Sequence, residues 1–239
     1  MLDSLTITDR LPGYDPAAYG EGCAEFYDQI YPRCEPGMIE LLADLARGER
    51  MLDLGVGTGR VALPLLSKGL EIHGIEASLA MVSKLRRKCG GTTLPVTIGN
   101  FADVPVTSDY SLIFAVVNTF LLLQSNEEQE RCFRNVARHL APAGLFLLEI
   151  FETQNETSFQ GPCEETGKTP DRPPKRSEQF VETPNGLCLY AVEIVSVSIL
   201  ELDAMAAGAG LRLRDRWSNW KREPFQQSSR RHISVYERA

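Results

Sequence analysis

Three glycines on alternate positions, Gly55, Gly57 and Gly59, follow Asp53 in the segment RMLDLGVGTGR. A carboxylate, Glu76, stands twenty-one residues beyond Gly55 at the end of EIHGIE. Glycine between a strand and a helix lets a ligand press against bare backbone, with the amides of the helix start facing it. An acidic side chain one βα unit later can accept both hydroxyl hydrogens of a ribose. Downstream, GNFADVP places the Asn100 amide where it can meet a base edge, with Phe101 or Met81 positioned to cover the ring face. Residues 115–118 end a fourth apolar run. Four strand ends on one rim make a crevice of the kind that binds ligands at a topological switch point.

The elements that must position these groups are legible from Arg50 onward. RMLDL reads as a strand, 58–68 as a helix, 71–76 as a strand and 78–88 as a helix with Ser78 as N-cap. PVTIG is a third strand. The uninterrupted apolar run 111–117 fits a central strand buried on both faces. A polar-rich helix over 126–140, a Pro-Ala-Gly turn at 142–144 and the strand LFLLEIF follow. This alternation specifies an α/β fold with a doubly wound, mostly parallel sheet.

From 152 to 177 the rhythm breaks in a proline-rich loop. LCLYAVEIVSV then alternates like an antiparallel strand, 201–210 is a helix with a glycine stop, and 211–220 and 231–238 are closing strands. The expected architecture is one domain over 1–239, with a helical cover over 1–45 and a lid over 152–198.

Composition narrows the function classes. The 239 residues carry a net charge of −7, which argues against a nucleic-acid partner, since phosphate binding needs clustered Lys and Arg. The basic stretch 211–238 is read as solvated strand surface. No run approaches the roughly 18 apolar residues of a membrane span, and the N-terminus lacks the pattern of a signal peptide. The six cysteines include no C-x-x-C pair. The expectation is a cytoplasmic protein with reduced thiols, no membrane partner and no metal. The sequon form at Asn155 is read as chance.

MLDLGVGTGR, GIEASLAMV, GNFADVP, LIFAVVNTF and VARHLAPAGLFLLEIF together resemble the ordered motifs of class I S-adenosylmethionine-dependent methyltransferases. The resemblance implies a Rossmann-like sheet of seven strands with an antiparallel last strand, and a small antiparallel excursion after the fifth. It implies S-adenosylmethionine as cofactor, with S-adenosylhomocysteine as product. AAYGEGCAEFYD resembles the entry helix of bacterial sugar N-methyltransferases, in which a tyrosine eight residues before a Tyr-Asp pair lines the transfer pocket; Tyr19 and Tyr27 match. VVNTF resembles a substrate-facing segment of glycine N-methyltransferases, matched by Asn118. By the same likeness Val116 holds the methionine end through its backbone. Gly55 and Gly57 back that moiety, Asp53 and Tyr27 belong to the cofactor site, and Glu76 takes the ribose. Ala77, Met81, Asn100 and Phe101 surround the adenine. One departure is that VEIVSV runs directly into SILELDAM, where family members carry a longer excursion.

Each role has a structural alternative. Tyr19 and Tyr27 could pack the first helix onto the sheet, Asn118 could be a cap, and Trp217 and Trp220 are read as packing. His73, His139 and His232 are placed within elements rather than beside the crevice. A sulfonium methyl group already has a good leaving group, so the protein's task is to align the nucleophile at about 3–3.5 Å and to exclude water. A neutral amine needs no base, whereas a hydroxyl usually benefits from one; Tyr19, Glu149 or a water could serve. The expected function is methyl transfer to a small-molecule acceptor, an N- or O-methylation in secondary metabolism, by a monomer or homodimer. Two other readings remain at this level: a non-catalytic cofactor-binding protein, and a nicotinamide-dependent dehydrogenase, against which the spacing of the third glycine counts.

Overall fold

A computed structural model describes residues 15–151, 173–183 and 186–239. Seven strands form one sheet: β1 (Met51–Leu54), β2 (Ile72–Glu76), β3 (Val96–Ile98), β4 (Tyr110–Ala115), β5 (Leu140–Phe151), β8 (Leu211–Trp217) and β9 (Arg231–Arg238). Their order is β3-β2-β1-β4-β5-β9-β8, and β9 runs antiparallel to both of its neighbours. Strands β6 (Lys175–Thr183) and β7 (Gly186–Ile194) form a separate antiparallel pair. The seven-stranded sheet and the excursion after its fifth strand are as the motifs imply.

Side-chain alternation divides the core between the two faces of the sheet. Leu52, Leu54, Ile113, Phe146 and Leu148 pack with helices α6 (Asn126–His139) and α7 (Ile199–Gly208). Met51, Leu112, Phe114, Leu145 and Leu147 pack with α3 (Met38–Ala46) and α4 (Ala62–Ser67) on the other face. β4 is buried at every position, as a central strand of a doubly wound sheet must be. α6 begins where the Ser125 hydroxyl accepts the Glu128 N–H at 3.1 Å, and it ends in the basic residues Arg138 and His139, side chains suited to the C-terminal end of the dipole. α7 opens with a capping box between Ser198 and Glu201.

Three local readings change. The helix expected from Thr58 begins at Ala62, because Val56–Gly59 forms a turn in which the Gly59 N–H donates to the Val56 carbonyl at 2.9 Å. Pro142–Gly144 is no separate turn but an irregularity within β5. Register passes from Tyr110↔Leu140 to Leu112↔Leu145, and Gly144 lies so close to Tyr110 that a Cβ there would sit 2.7 Å from its carbonyl oxygen. The proline-rich loop ends earlier than expected, since Lys175 opens β6; residues 152–172 and Asn155 lie outside the described residues.

Two short helices, α1 (Ala18–Cys23) and α2 (Tyr27–Ile30), lie over the rim of the sheet. Tyr190 of β7 packs with Cys23, Ala24, Phe26 and Met81, so the excursion bears on α1 and on α5 (Leu79–Arg86). No helix among the described residues is long and apolar enough to cross a membrane.

Candidate functional site

The Gly turn leaves β1 sharply because the N–H groups of Gly55 and Val56 both donate to the Ile75 carbonyl, each at 2.9 Å. Gly55, Gly57 and Gly59 have φ of 74°, 55° and 80°, where L side chains are strained. Their reasons for lacking a side chain differ. A Cβ on Gly55 would lie 2.5 Å from the Thr119 methyl, and one on Gly59 2.9 Å from Leu63 Cγ. A Cβ on Gly57 would meet nothing nearer than the Gly55 oxygen at 3.9 Å. Gly57 therefore presents bare backbone to open space.

Glu76 ends β2 and fastens this turn. Its Oε2 accepts the Gly57 N–H at 2.8 Å and its Oε1 the Ser78 N–H at 2.9 Å. Burial raises the proton affinity of the carboxyl, and these backbone donors oppose that shift. Each oxygen keeps further acceptor capacity.

Ser78 caps α5 through Met81 N–H and donates to Glu21 of α1 at 2.8 Å. A Cβ on Gly20 would come within 2.4 Å of Ser78 Cβ, so only glycine lets α1 lie this close. That contact carries Tyr19 over the rim. α2 is pinned by Asp28, which accepts from Thr58 Oγ1 at 2.6 Å and Lys88 Nζ at 2.8 Å.

Together these elements enclose a cleft of 590 Å³, counting the space open to solvent. Of the residues singled out in the sequence, Tyr19, Tyr27, Gly55, Gly57, Glu76, Ala77, Met81, Asn100 and Phe101 line it. Pro16, Gly20, Thr119 and Leu122 also line it and escaped the sequence reading. The glycine inside the entry helix was a signal available for Gly20. Thr119 had none apart from its place beside Asn118.

Asp53, Val116 and Asn118 stand behind the wall. Asp53 is 4% exposed, and among the described residues its carboxylate makes no hydrogen bond. Burial pushes its carboxyl well above the usual range, with Arg60 acting in opposition. The Val116 carbonyl accepts the Thr119 hydroxyl at 2.7 Å. Asn118 Oδ1 accepts the Phe151 N–H at 2.7 Å, so part of this side chain is structural. Asn100 is engaged at both ends: Oδ1 accepts from Ala102 N–H at 2.9 Å and Nδ2 donates to Glu128 at 3.0 Å.

The hydroxyls and thiol at the α1 end stay protonated at neutral pH. Burial drives the Tyr19 phenol far upward, reinforced by Cys23 and Tyr27. It pushes Tyr27 up to about 12 against Arg60, and Cys23 up to about 12 as well. The histidines bond elsewhere: His73 to Tyr110 and Thr97, His139 to the Ser108 carbonyl, His232 to Ser234. Trp220, read as packing, is buried and also donates its indole N–H to Glu149 at 2.8 Å.

Comparison with known proteins agrees with this geometry. A methyltransferase domain model matches residues 51–144. The solved structure of the CcbJ methyltransferase from Streptomyces caelestis is 31% identical and superposes with a TM-score of 0.80, over 95% of this chain and 100% of that one. The cypemycin N-terminal methyltransferase of a Streptomyces species is 26% identical over 243 residues, covering 94% of this chain and 99% of the relative. A dTDP-4-amino-2,3,4,6-tetradeoxy-D-glucose N,N-dimethyltransferase from Saccharopolyspora spinosa is 26% identical over 141 residues, 56% of each chain. The dehydrogenase reading falls with these likenesses. A near full-length relative above 30% identity, together with a glycine turn and acidic strand end on one cleft, shows that the chain belongs to the class I S-adenosylmethionine-dependent methyltransferases acting on small molecules.

Proposed function

We propose that this enzyme methylates an amine nitrogen of a small molecule in secondary metabolism. The observation that carries the reading is the chemistry of the cleft's α1 end. Tyr19 and Tyr27, which line the cleft, are kept protonated by burial, as is the fully buried Cys23 of α1. Both Glu76 oxygens accept backbone N–H groups. A neutral amine is a nucleophile without assistance, whereas an alcohol acceptor would need a base that the described residues of this wall do not offer. The names of two relatives, an N-terminal methyltransferase and an amino-sugar N,N-dimethyltransferase, support nitrogen as the acceptor atom. The net charge of −7 supports a small acceptor over a nucleic acid.

The residues present fit the cofactor. Gly57 offers bare backbone, and Asp53, which does not line the cleft, is a buried acceptor beside the Gly turn that takes no hydrogen bond among the described residues. Glu76 would take the ribose hydroxyls, and Met81 and Phe101 would flank the adenine. The cofactor, when bound, supplies an electrophilic methyl group. The protein's own part is to orient the acceptor through the protonated Tyr19 and Tyr27 hydroxyls and to exclude water with α1 and Tyr190. Labelled S-adenosylmethionine with a panel of amino sugars, peptide N-termini and phenols tests this. Transfer to amines is expected. Transfer confined to hydroxyls would overturn it, and tight cofactor binding without transfer to any acceptor would favour a sensor.

A further inference from the structure

The turn that leaves β4 holds two consecutive non-glycine residues in the left-handed region, Val117 at φ 56° and Asn118 at φ 60°. A β-branched residue is disfavoured there, and such a conformation persists only where its surroundings over-determine it. Here the surroundings converge on Glu149 of β5. Its Oε2 accepts the Val117 N–H at 2.9 Å, and its main-chain carbonyl accepts the Asn118 N–H at 3.3 Å. Its Oε1 accepts from Trp220 Nε1 at 2.8 Å and Arg231 Nη1 at 3.3 Å. Arg231 is itself fixed by Glu35 at 2.5 Å and by the Ser218 carbonyl at 3.2 Å.

Glu149 is fully buried and does not line the cleft, so its acceptor capacity is committed to the turn and the two donors behind it. The next residue, Thr119, does line the cleft and presses on Gly55. Where the turn sits therefore sets the width of the wall.

We propose that Glu149 is a positioning residue: its carboxylate, backed by Trp220 and Arg231, holds the 116–119 turn in its left-handed form and so shapes the methyl-transfer cleft. The proposal rests on the reading of that cleft as the cofactor site. Only the ionised carboxylate offers both oxygens to its three N–H donors; protonation adds a hydrogen among them. The charged and titratable groups facing it are Arg231 of β9, Glu35 before α3 and the Cys34 thiol. Burial lifts the carboxyl to about 7, so the turn loosens as pH falls through neutrality.

The test combines calorimetric titration of S-adenosylhomocysteine with hydrogen exchange at the Val117 and Asn118 amides, for wild type and Glu149→Gln, from alkaline to acidic pH. At alkaline pH the variant binds more weakly by at least about tenfold, and its two amides exchange faster. On acidification the wild-type affinity falls towards that of the variant. Asp53 and Glu76 titrate in both proteins and cancel in the ratio. A ratio constant with pH, or unchanged exchange, overturns the proposal. Failure of the wild type to bind S-adenosylhomocysteine refutes the cleft reading, while amide exchange still decides the role of Glu149 in the turn. Should the Gln variant not fold, Trp220→Phe serves: losing one donor moves the pH midpoint of binding upward, and an unmoved midpoint overturns the idea.

Discussion

Replacing Glu76 with alanine removes one side chain with two separable tasks. In the free protein it accepts the N–H groups of Gly57 and Ser78 at 2.8 and 2.9 Å. In the proposed complex its remaining acceptor sites would take the ribose hydroxyls. A hydrogen bond to a charged group contributes about 1.5–3 kcal/mol, so losing the diol contact weakens S-adenosylhomocysteine by about 10–150-fold in Kd. Loosening of the Gly turn lowers thermal stability separately. Calorimetry with adenosine and 2′,3′-dideoxyadenosine, on wild type and variant, divides the two effects. The penalty of Glu76→Ala is expected to be large for adenosine and small for the dideoxy analogue, which has no hydroxyls to lose. Equal penalties for both ligands would mean that Glu76 only braces the turn, and the assignment of the sugar site would be wrong.

Gly57→Ala should abolish most S-adenosylhomocysteine binding while lowering the melting temperature by only about 2–8 °C. Its methyl enters open cleft space, and the left-handed backbone costs only about 1–2 kcal/mol. Gly55→Ala should lower the melting temperature further, since its Cβ would sit 2.5 Å from the Thr119 methyl; the opposite pattern would reverse the two roles. Tyr19→Phe should reduce turnover more than cofactor affinity in steady-state kinetics, and a loss confined to affinity would remove Tyr19 from the acceptor side. His232 is buried neutral, its pKa lowered to about 4 by burial and by Arg216. Below its ordinary value the unfolded chain takes up a proton that the folded chain refuses, so stability falls on acidification by about 2 kcal/mol at pH 5. Urea unfolding at pH 7.5 and 5 should show that slope reduced in His232→Gln; an equal slope in both proteins would contradict it.

The cleft lining at the strand tips was legible in the sequence because tips are marked by where an apolar run stops. Gly55, Glu76 and Phe101 each follow such a stop. Thr119 and Leu122 were missed because they belong to a short 3₁₀ turn over Thr119–Leu122, which has no periodicity to read. The role proposed for Glu149 was illegible for a different reason. It depends on Trp220 and Arg231, more than seventy residues away, and on a left-handed turn at Val117 that propensity argues against. Asn118 shows the limit of transfer by likeness, since its carbonyl oxygen is spent on Phe151. β6 went unread because charged residues, Arg176, Glu178 and Glu182, alternate through it beside the proline-rich stretch.

The most direct measurement is a crystal structure of the protein with S-adenosylhomocysteine. The sugar diol is expected on the Glu76 carboxylate, the purine between Met81 and Phe101, and the amino-acid end above Gly55 and Gly57. Nucleoside density elsewhere, or a side chain filling the space before Gly57, would contradict that placement.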